Sequence, residues 1–374
     1  MCLRDRFDNS AMDGYALIAG DTAGASPEVP VTLRVLEHIG AGDWPAESIA
    51  LGTASRIMTG APMPEGADAV VMVEYTVAGE ADGGVGGTVA VQREATAGDH
   101  VRRRGEEVLA GAVVLAAGEV LGPAGIGLLA ATGNPRPLVY RRPRVAIVPT
   151  GSELVDASEK PGPGQIRNSN SYSLAAQVLD AGGVPLQYAV IPDDEAATRE
   201  AFERAAAEAD FIVTSGGVSV GDFDFVKPVL EQIGELEFCK VAMRPGNPQT
   251  LGTIRGVPFF GLPGNPTSTF VGFEVFVRPA LLMMQGLTEL DRPHVVARLT
   301  HDVKKRQDRR YYLRARLTLA EDEYQVELSG SQSSALLTAA HRGNCFMVLP
   351  EGTGMVPAGT EVVCMRLDVK EGTR

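Results

Sequence analysis

Four short loops gather most of the residues in this chain that have chemistry to offer, and each follows an apolar run. In Pro149-Thr150-Gly151-Ser152-Glu153-Leu154 a carboxylate stands one turn beyond such a run. There it would bind a cation or a hydroxyl, or simply favour the positive end of a helix. The loop from Ser215 to Asp224, Ser-Gly-Gly-Val-Ser-Val-Gly-Asp-Phe-Asp, is denser. Gly216, Gly217 and Gly221 let the backbone come close to a ligand, Ser215 and Ser219 add hydroxyls, and amides at a helix start attract phosphate. Asp222 and Asp224 would repel a bare phosphate, so they suggest a cation, Mg²⁺ by preference, between acid and phosphate. The same loop also reads as a tight strand-to-helix turn with an aspartate cap, and it lacks the Gly-Lys-Ser/Thr of a P-loop. Met243-Arg244-Pro245-Gly246-Asn247-Pro248 offers a planar guanidinium to an oxyanion, or a surface arginine in a Pro-Gly turn. In Leu262-Pro263-Gly264-Asn265-Pro266-Thr267-Ser268 two prolines stiffen a turn, and Thr267 or Ser268 is expected to cap the next helix. Its free amides make a second anion site, or the turn is only a rigid connection.

Three more polar clusters precede these loops: Asp8-Asn9-Ser10-Ala11-Met12-Asp13-Gly14-Tyr15-Ala16, Arg56-Ile57-Met58-Thr59-Gly60-Ala61-Pro62, and Arg102-Arg103-Arg104-Gly105-Glu106-Glu107. A charge run of the last kind is ordinarily a solvated face, but in an acidic protein a basic triplet can also focus a small anion. The chain is acidic, with formal net charge −13 over 374 residues. Duplex binding requires clustered positive charge, so a nucleic-acid partner is not expected. Five histidines and four cysteines show no metal-ligand or CxxC spacing, which argues against a histidine- or thiolate-built metal site and for idle thiols in a reducing cytoplasm. Val113–Gly133 is broken by Glu119, Pro123 and several glycines, so no membrane span is expected there, and no secretory signal is visible.

The elements that must position these residues follow from hydrophobic rhythm. At roughly 100–200 residues per domain the chain holds several domains. Residues 1–111 are rich in short alternating runs, with strands expected at 69–73 and 88–91 around a Gly-rich turn, and read as a β-rich domain. Residues 112–142 hold one short helix with Pro123 in its first turn and Gly133 past its end, then a Pro-Arg linker. Over 143–291 strands alternate with helices: strands at 145–148, 186–191, 211–214 and 257–262, and helices at 171–181, 195–209, 225–233 and 267–285. That pattern implies a parallel-type sheet with crossover helices and ligands outside its carboxyl ends. Residues 292–374 carry strands only, spaced as in a small barrel or sandwich.

Six ordered motifs give these pieces a common resemblance: DNSAMDGYA at 8–16, RIMTGAPMPEGADAVV at 56–71, RRRGEE at 102–107, PTGSEL at 149–154, SGGVSVGDFDFVK at 215–227 and LPGNPTS at 262–268. With them the chain resembles the MoeA family of molybdopterin molybdenumtransferases, whose relatives include the E domain of gephyrin and its plant counterpart. The resemblance implies a multidomain α/β plus β fold with a central MogA/MoaB-like α/β domain, an N-terminal β-rich domain and a C-terminal small β-barrel, in an elongated homodimer. It implies a transferase that inserts molybdate into adenylated molybdopterin, with Mg²⁺, releases AMP, and works beside other enzymes of molybdenum-cofactor synthesis.

Site roles follow residue by residue. Asp224, Asp13, Thr59 and Glu153 match catalytic positions, and the site would be built across the dimer if Asp13 and Thr59 come from the partner copy. Asp193, Ser215, Gly216, Gly217, Ser219, Gly221, Asp222, Pro263, Gly264, Asn265 and Pro266 match the molybdopterin and AMP site. Arg244, Asn247, Lys240, Arg314, Ser333, Ser334 and Thr338 match the molybdate site, and Asp224, Glu153 and Asp222 the Mg²⁺ site. Two positions depart: many members carry Lys where Asn247 stands and Asp where Glu107 stands, so one molybdate-directed charge is missing or replaced. The rival readings are the preceding adenylation step, which the flanking domains oppose, and a gephyrin-type scaffold. Members also carry some tens of residues before the first motif, so a truncated form or a mis-assigned start is expected.

Overall fold

In a computed structural model of the chain, residues 6–217 and 225–371 are described. The chain divides into two compact units, Met1–Leu138 and Val139–Arg374. The first unit is built on a six-stranded sheet in the order Ala69–Met72, Gly14–Leu17, Thr53–Ile57, Val31–Ile39, Thr88–Val91, Thr76–Ala78. All neighbours are antiparallel except Val31–Ile39 beside Thr53–Ile57. Strand Asn9–Ser10 pairs separately with Val101–Arg102. Helix Pro123–Ala131 begins with proline and is followed by Gly133 at φ +77°, as the sequence signals require. None of its residues is buried.

The second unit opens with a six-stranded sheet in the order Val184–Gln187, Arg144–Pro149, Phe211–Ser215, Val257–Leu262, Pro248–Ile254, Gly234–Lys240. The first four strands are parallel. Their residues alternate between two buried faces, which is why they read as continuous apolar runs. Ala146, Val148, Ile212 and Phe259 pack with Phe202, Val229 and Leu230 of helices Glu195–Glu208 and Val226–Ile233. Val145, Ile147, Val213 and Leu262 pack with Leu174 and Val178 of helix Asn170–Asp180, and with Phe273, Val277 and Leu281 of the helical run Pro266–Met284. That nineteen-residue run is long and apolar enough to cross a membrane, yet it serves here as a core helix, 61% buried over its most apolar window.

Two strands of this sheet have no counterpart in the sequence reading. Pro248–Ile254 is antiparallel to Val257–Leu262, and Gly234–Lys240 is antiparallel to Pro248–Ile254, so the parallel half is extended by an antiparallel edge. Glycine and proline around both segments masked their strand character. The strand expected at 186–191 lies earlier, at Val184–Gln187. Beyond it the chain still follows its neighbour irregularly, the amides of Tyr188 and Ile191 donating to the carbonyls of Ile147 and Pro149.

Strands Arg310–Ala320, Glu323–Leu328, His294–Leu299, Glu361–Arg366 and Cys345–Leu349 pair in that order, and the last pairs back with the first. The ring closes into a five-stranded barrel around Leu313, Ala315, Val326, Met347 and Cys364, which removes the exposed edges of so short a sheet. The barrel is seamed to the α/β sheet by a parallel pairing of Met243–Arg244 with Arg310–Tyr311. A cluster of Met243, Val271, Phe346 and Met365 backs the seam.

A buried ionic network fixes the C-terminal segment to the two helices of one face. Arg278, fully buried, donates from Nη1 to Asp180 at 2.7 Å and from Nη2 to Glu371 at 3.0 Å. Arg292 donates to Asp180 and to Glu274, each at 3.1 Å, and to the carbonyls of Leu367 and Val369. Burial alone would raise the carboxyl of Asp180, but Arg278 and Arg292 outweigh it and hold it lowered. Glu371 behaves in the same way, lowered by Arg278 against the effect of burial. Removing one partner of such a network leaves the others uncompensated, so Arg278→Ala is expected to cost about 3 kcal/mol of stability, measured by denaturant unfolding. Because both carboxyls are lowered in the folded state, the network's contribution is complete at neutral pH and fades as pH falls through and below the ordinary carboxylate range. The wild-type chain should therefore lose more stability on acidification than Arg278→Ala does.

Candidate functional site

The order of the α/β sheet decides where a ligand can sit. From Arg144–Pro149 the chain moves to the strand on one side, then returns to Phe211–Ser215 on the other. At such a switch point the two following loops diverge and leave a crevice beyond the carboxyl ends. The loops are those at Thr150–Glu153 and Ser215–Gly217. Gly216 and Gly217 have φ of +97° and +62°, and a Cβ on either would meet Thr150, at 2.6 Å from its carbonyl oxygen and 2.9 Å from its hydroxyl respectively. Only glycine allows this close contact. Asn170 clips two loops together, its Nδ2 donating to the Ser215 hydroxyl and to the Gly264 carbonyl, both at 2.8 Å. Among the described residues the buried Thr150 hydroxyl has no hydrogen-bond partner.

A cavity of about 710 Å³ opens there. Its acidic side carries Glu153 and Asp193, with Gly216, Gly217, Gly264 and Asn265 between them. Asp193 is held by the Ser152 amide, which donates to its carboxylate at 3.0 Å, while the Ser152 hydroxyl accepts the Asp193 amide at 3.0 Å. A second cavity of about 470 Å³ shares Thr150, Glu153, Gly216 and Gly264 and reaches Asn168, Ser169 and Asn170.

The basic side is built by the seam. Pairing beside Tyr311 lays the Arg244 guanidinium 5.3 Å from the centre of the Tyr311 ring, with Nη1 donating to its hydroxyl at 3.3 Å. The amides of Arg306 and Gln307 donate to the same oxygen at 3.2 and 3.1 Å. Burial alone would raise the Tyr311 phenol, but these donors, Arg244 first, outweigh it and lower it. Arg314, only 1% exposed, donates from Nη2 to the carbonyl of Ser333 at 3.1 Å, and its Nε has no partner among the described residues. Burial, and then the neighbouring charge of Arg244, lowers its pKa to about 10, so it is still charged at neutral pH. Gln332 pins this wall by exchanging hydrogen bonds with the Arg314 backbone, both at 3.0 Å. Two like charges held together, one with an unused donor, are arranged to receive an anion.

Of the residues singled out from sequence, Glu153, Asp193, Gly216, Gly217, Pro263, Gly264, Asn265, Arg244, Asn247, Ser333 and Ser334 line the larger cavity, and Ser215 and Pro266 the second. Arg314 is bonded to the Ser333 wall. Lys240 is exposed at the end of its strand and Thr338 opens a short helix; neither is among the described residues lining these two cavities. Ser219, Gly221, Asp222 and Asp224 lie outside the described residues. Among the described residues no group of three His, Cys, Asp or Glu is placed to hold a metal, so Glu153 and Asp193 are the carboxylates that this cavity offers.

In the first unit Asp13 and Thr59 meet, the amide and the hydroxyl of Thr59 both donating to one Asp13 oxygen at 2.7 Å. Those two bonds, the hydroxyl's foremost, lower the Asp13 carboxyl. In the basic run, Arg103 is paired with Asp8 at 2.7 Å. Thr267 does not cap its helix: its hydroxyl and amide donate to the carbonyls of Leu336 and Ser334 at 2.8 and 2.9 Å. That amide is therefore not free for an anion, because the C-terminal segment already occupies it. The sequence reading passed over Asn170, Tyr311, Gln332 and Arg309. The basic run at 304–310 was the one visible signal for the last.

The fold and the site together define a multidomain protein whose α/β crevice faces a cationic wall supplied by a β-barrel. Residues 6–133 match the MoeA N-terminal region, domains I and II, residues 146–283 a probable molybdopterin binding domain, and residues 296–367 the MoeA C-terminal region, domain IV. The chain is 44% identical over 362 residues to molybdopterin molybdenumtransferase 2 of Mycobacterium tuberculosis, covering 95% of this chain and 87% of that one. It is 38% identical to molybdopterin molybdenumtransferase of Bacillus subtilis, covering 98% and 85%. A crystal structure of the MoeA protein of Pyrococcus horikoshii superimposes with a TM-score of 0.74 at 31% identity over 96% of this chain and 87% of that one. The chain belongs to the MoeA family, and its activity is that of a transferase in molybdenum-cofactor synthesis.

Replacing Arg314 with methionine removes a buried, incompletely bonded charge. Arg314→Met is expected to leave the unfolding midpoint unchanged or raise it, by up to about 1 kcal/mol, while abolishing anion binding. Thermal unfolding with and without added oxyanion measures both effects, since a bound anion raises the melting temperature of the wild type.

Proposed function

We propose that this chain completes the molybdenum cofactor by inserting molybdate into molybdopterin carried as its adenylate, with release of AMP. One observation supports this reading above others: a single cavity is lined by a glycine loop and two carboxylates together with Arg244 and Ser333, and Arg314 is bonded to that Ser333 wall. The glycine loop with Ser215 and Gly264 suits the phosphates of the adenylate. Molybdate is a dianion, and Arg244 and Arg314 with the Ser333–Ser334 wall suit it. Asn170 and Gln332 keep the two walls in place, so that the reacting groups are held at a fixed separation.

Glu153 and Asp193 fit an Mg²⁺ ion, which takes one or two protein carboxylates and completes its shell with substrate phosphate and water. Asp222 and Asp224, in the 215–224 glycine loop, are further candidates from the sequence. Bound there, the ion would neutralise phosphate charge during cleavage of the anhydride. Asp13 is ionised well below neutral pH by its bonds from Thr59 and is proposed to act on the substrate from the partner copy of a homodimer.

Supporting the homodimer, helix Pro123–Ala131 is apolar all round yet none of its residues is fully buried among the described residues, and Ile126 is 58% exposed. Such a helix ordinarily belongs in a core or an interface. A cytoplasmic setting suits the free, buried thiols of Cys345 and Cys364.

The direct test supplies purified protein with adenylated molybdopterin, molybdate and Mg²⁺. AMP and active cofactor should appear in equal amounts. AMP without bound molybdenum would overturn the reading, and adenylate formed from molybdopterin and ATP would favour the adenylation step instead. Glu153→Gln should lower the rate by at least about tenfold and raise the Mg²⁺ concentration needed for half-maximal activity. Ile126→Arg should convert the dimer to a monomer in sedimentation equilibrium.

A further inference from the structure

Three donors converge on one phenolic oxygen at the seam. Arg244 Nη1 lies 3.3 Å from the Tyr311 oxygen, and the amides of Arg306 and Gln307 lie at 3.2 and 3.1 Å. A neutral phenol carries a proton of its own and has room for two incoming donors. A phenolate has room for three and no proton to place. We infer that Tyr311 serves the seam as a phenolate, the counter-ion that positions Arg244, so that a proton arriving there releases the arginine. The inference concerns the protein's own charges and stands apart from which ligand the cavity takes.

The direction of hydrogen bonding separates Tyr311 from the other tyrosines. Tyr15 donates to the Gly83 carbonyl at 3.1 Å, Tyr172 to Asp156 at 3.1 Å and Tyr188 to Glu208 at 2.7 Å. The Tyr311 oxygen accepts, and among the described residues it donates to none. Its side chain is buried, only 3% exposed. A buried O–H without an acceptor is costly, and ionisation removes that O–H.

The charges that face the ring are positive. From the α/β side comes Arg244, 5.3 Å from the ring centre. From the short strand Val303–Lys305 comes the Nζ of buried Lys305, 5.1 Å from the same centre, which also donates to the Pro350 carbonyl. Opposite Tyr311 on strand Cys345–Leu349 stands the apolar Leu349. The loop at 306–309 carries Arg306, Arg309 and one carboxylate, Asp308, which accepts the Gly352 amide at 2.6 Å. Glu351 is paired with Arg310 at 3.3 Å. Opposite charge and incoming hydrogen bonds both favour an ionised group. Burial raises the phenol of the next residue, Tyr312, whereas at Tyr311 the donors overcome burial.

Protonation has a mechanical consequence. The oxygen then holds its own proton and two donors, so the third must withdraw, and the longest of the three bonds is that of Arg244. Ionised, Tyr311 fastens the guanidinium to the barrel. Protonated, it frees the guanidinium toward the cavity that Arg244 lines.

The test follows phenolate absorbance of the full chain during an alkaline titration, with circular dichroism at each pH to show that the fold persists. Of the eight tyrosines, one should ionise ahead of the rest, below the ordinary phenol value of about 10. Tyr311→Phe should remove that step and leave the others in place. Arg244→Gln, which keeps the ring, should move the step upward, toward the other seven. A tyrosine with a purely structural role gives no early step to lose or to move. All eight ionising together, or an early step that survives Tyr311→Phe, would overturn the inference. So would an early step left in place by Arg244→Gln, because the phenolate would then not be the counter-ion of that arginine. Should Tyr311→Phe fail to fold, the wild type and Arg244→Gln decide between them.

Discussion

A pairing of two residues with two others holds this site together. Met243–Arg244 adds in parallel to Arg310–Tyr311, and without that seam the α/β crevice would face solvent where it now faces a cationic wall. The ladder is short, so its register is set by what flanks it. Met243 is buried against Phe346 and Met365, and Arg244 lies over the Tyr311 ring. The seam acts through the phenol. One oxygen accepts from a guanidinium on the α/β side and from two amides on the barrel side, so the two halves of the binding wall cannot shift independently.

The chain treats buried arginine in two opposite ways. Arg278 and Arg292 are saturated by Asp180, Glu274, Glu371 and backbone carbonyls, and they fasten the last residues of the chain to the helical face of the sheet. Arg314 is buried as deeply but keeps an unbonded Nε and a like-charged neighbour. The first arrangement is structural and complete. The second leaves a donor unused among the described residues, an arrangement that suits an anion and costs stability. In an acidic chain this separation is necessary: positive charge left near carboxylates, as at Arg103 beside Asp8, is neutralised before any substrate can use it.

Much of this was legible in the sequence. The apolar runs at 145–148, 211–214 and 257–262 gave the parallel strands, and the even spacing after 291 gave a small barrel or sandwich, because both patterns follow directly from side-chain alternation; the closed ring is a finding of the structure. The loops that line the cavity were recognisable by glycine, proline and acid placed just beyond strand ends. The antiparallel edge at Gly234–Lys240 and Pro248–Ile254 was not, since its strands are flanked by turn residues and its pairing is decided by a neighbour rather than by its own pattern. Nor was Tyr311, which in a strand of alternating apolar residues looks like core and is core by burial; only its hydroxyl is functional.

Composition, motif order and periodicity therefore determined the family, the layers and the side of the sheet on which chemistry occurs. These depend on local conformational preference and on burial, and each is written along the chain. Tertiary structure decided which charges are available. Thr267, bonded to Leu336 and Ser334, and Arg314, bonded to Ser333, owe their surroundings to segments well separated along the chain. Whether a polar group is engaged or free depends on what folding brings beside it, and no residue carries that information alone.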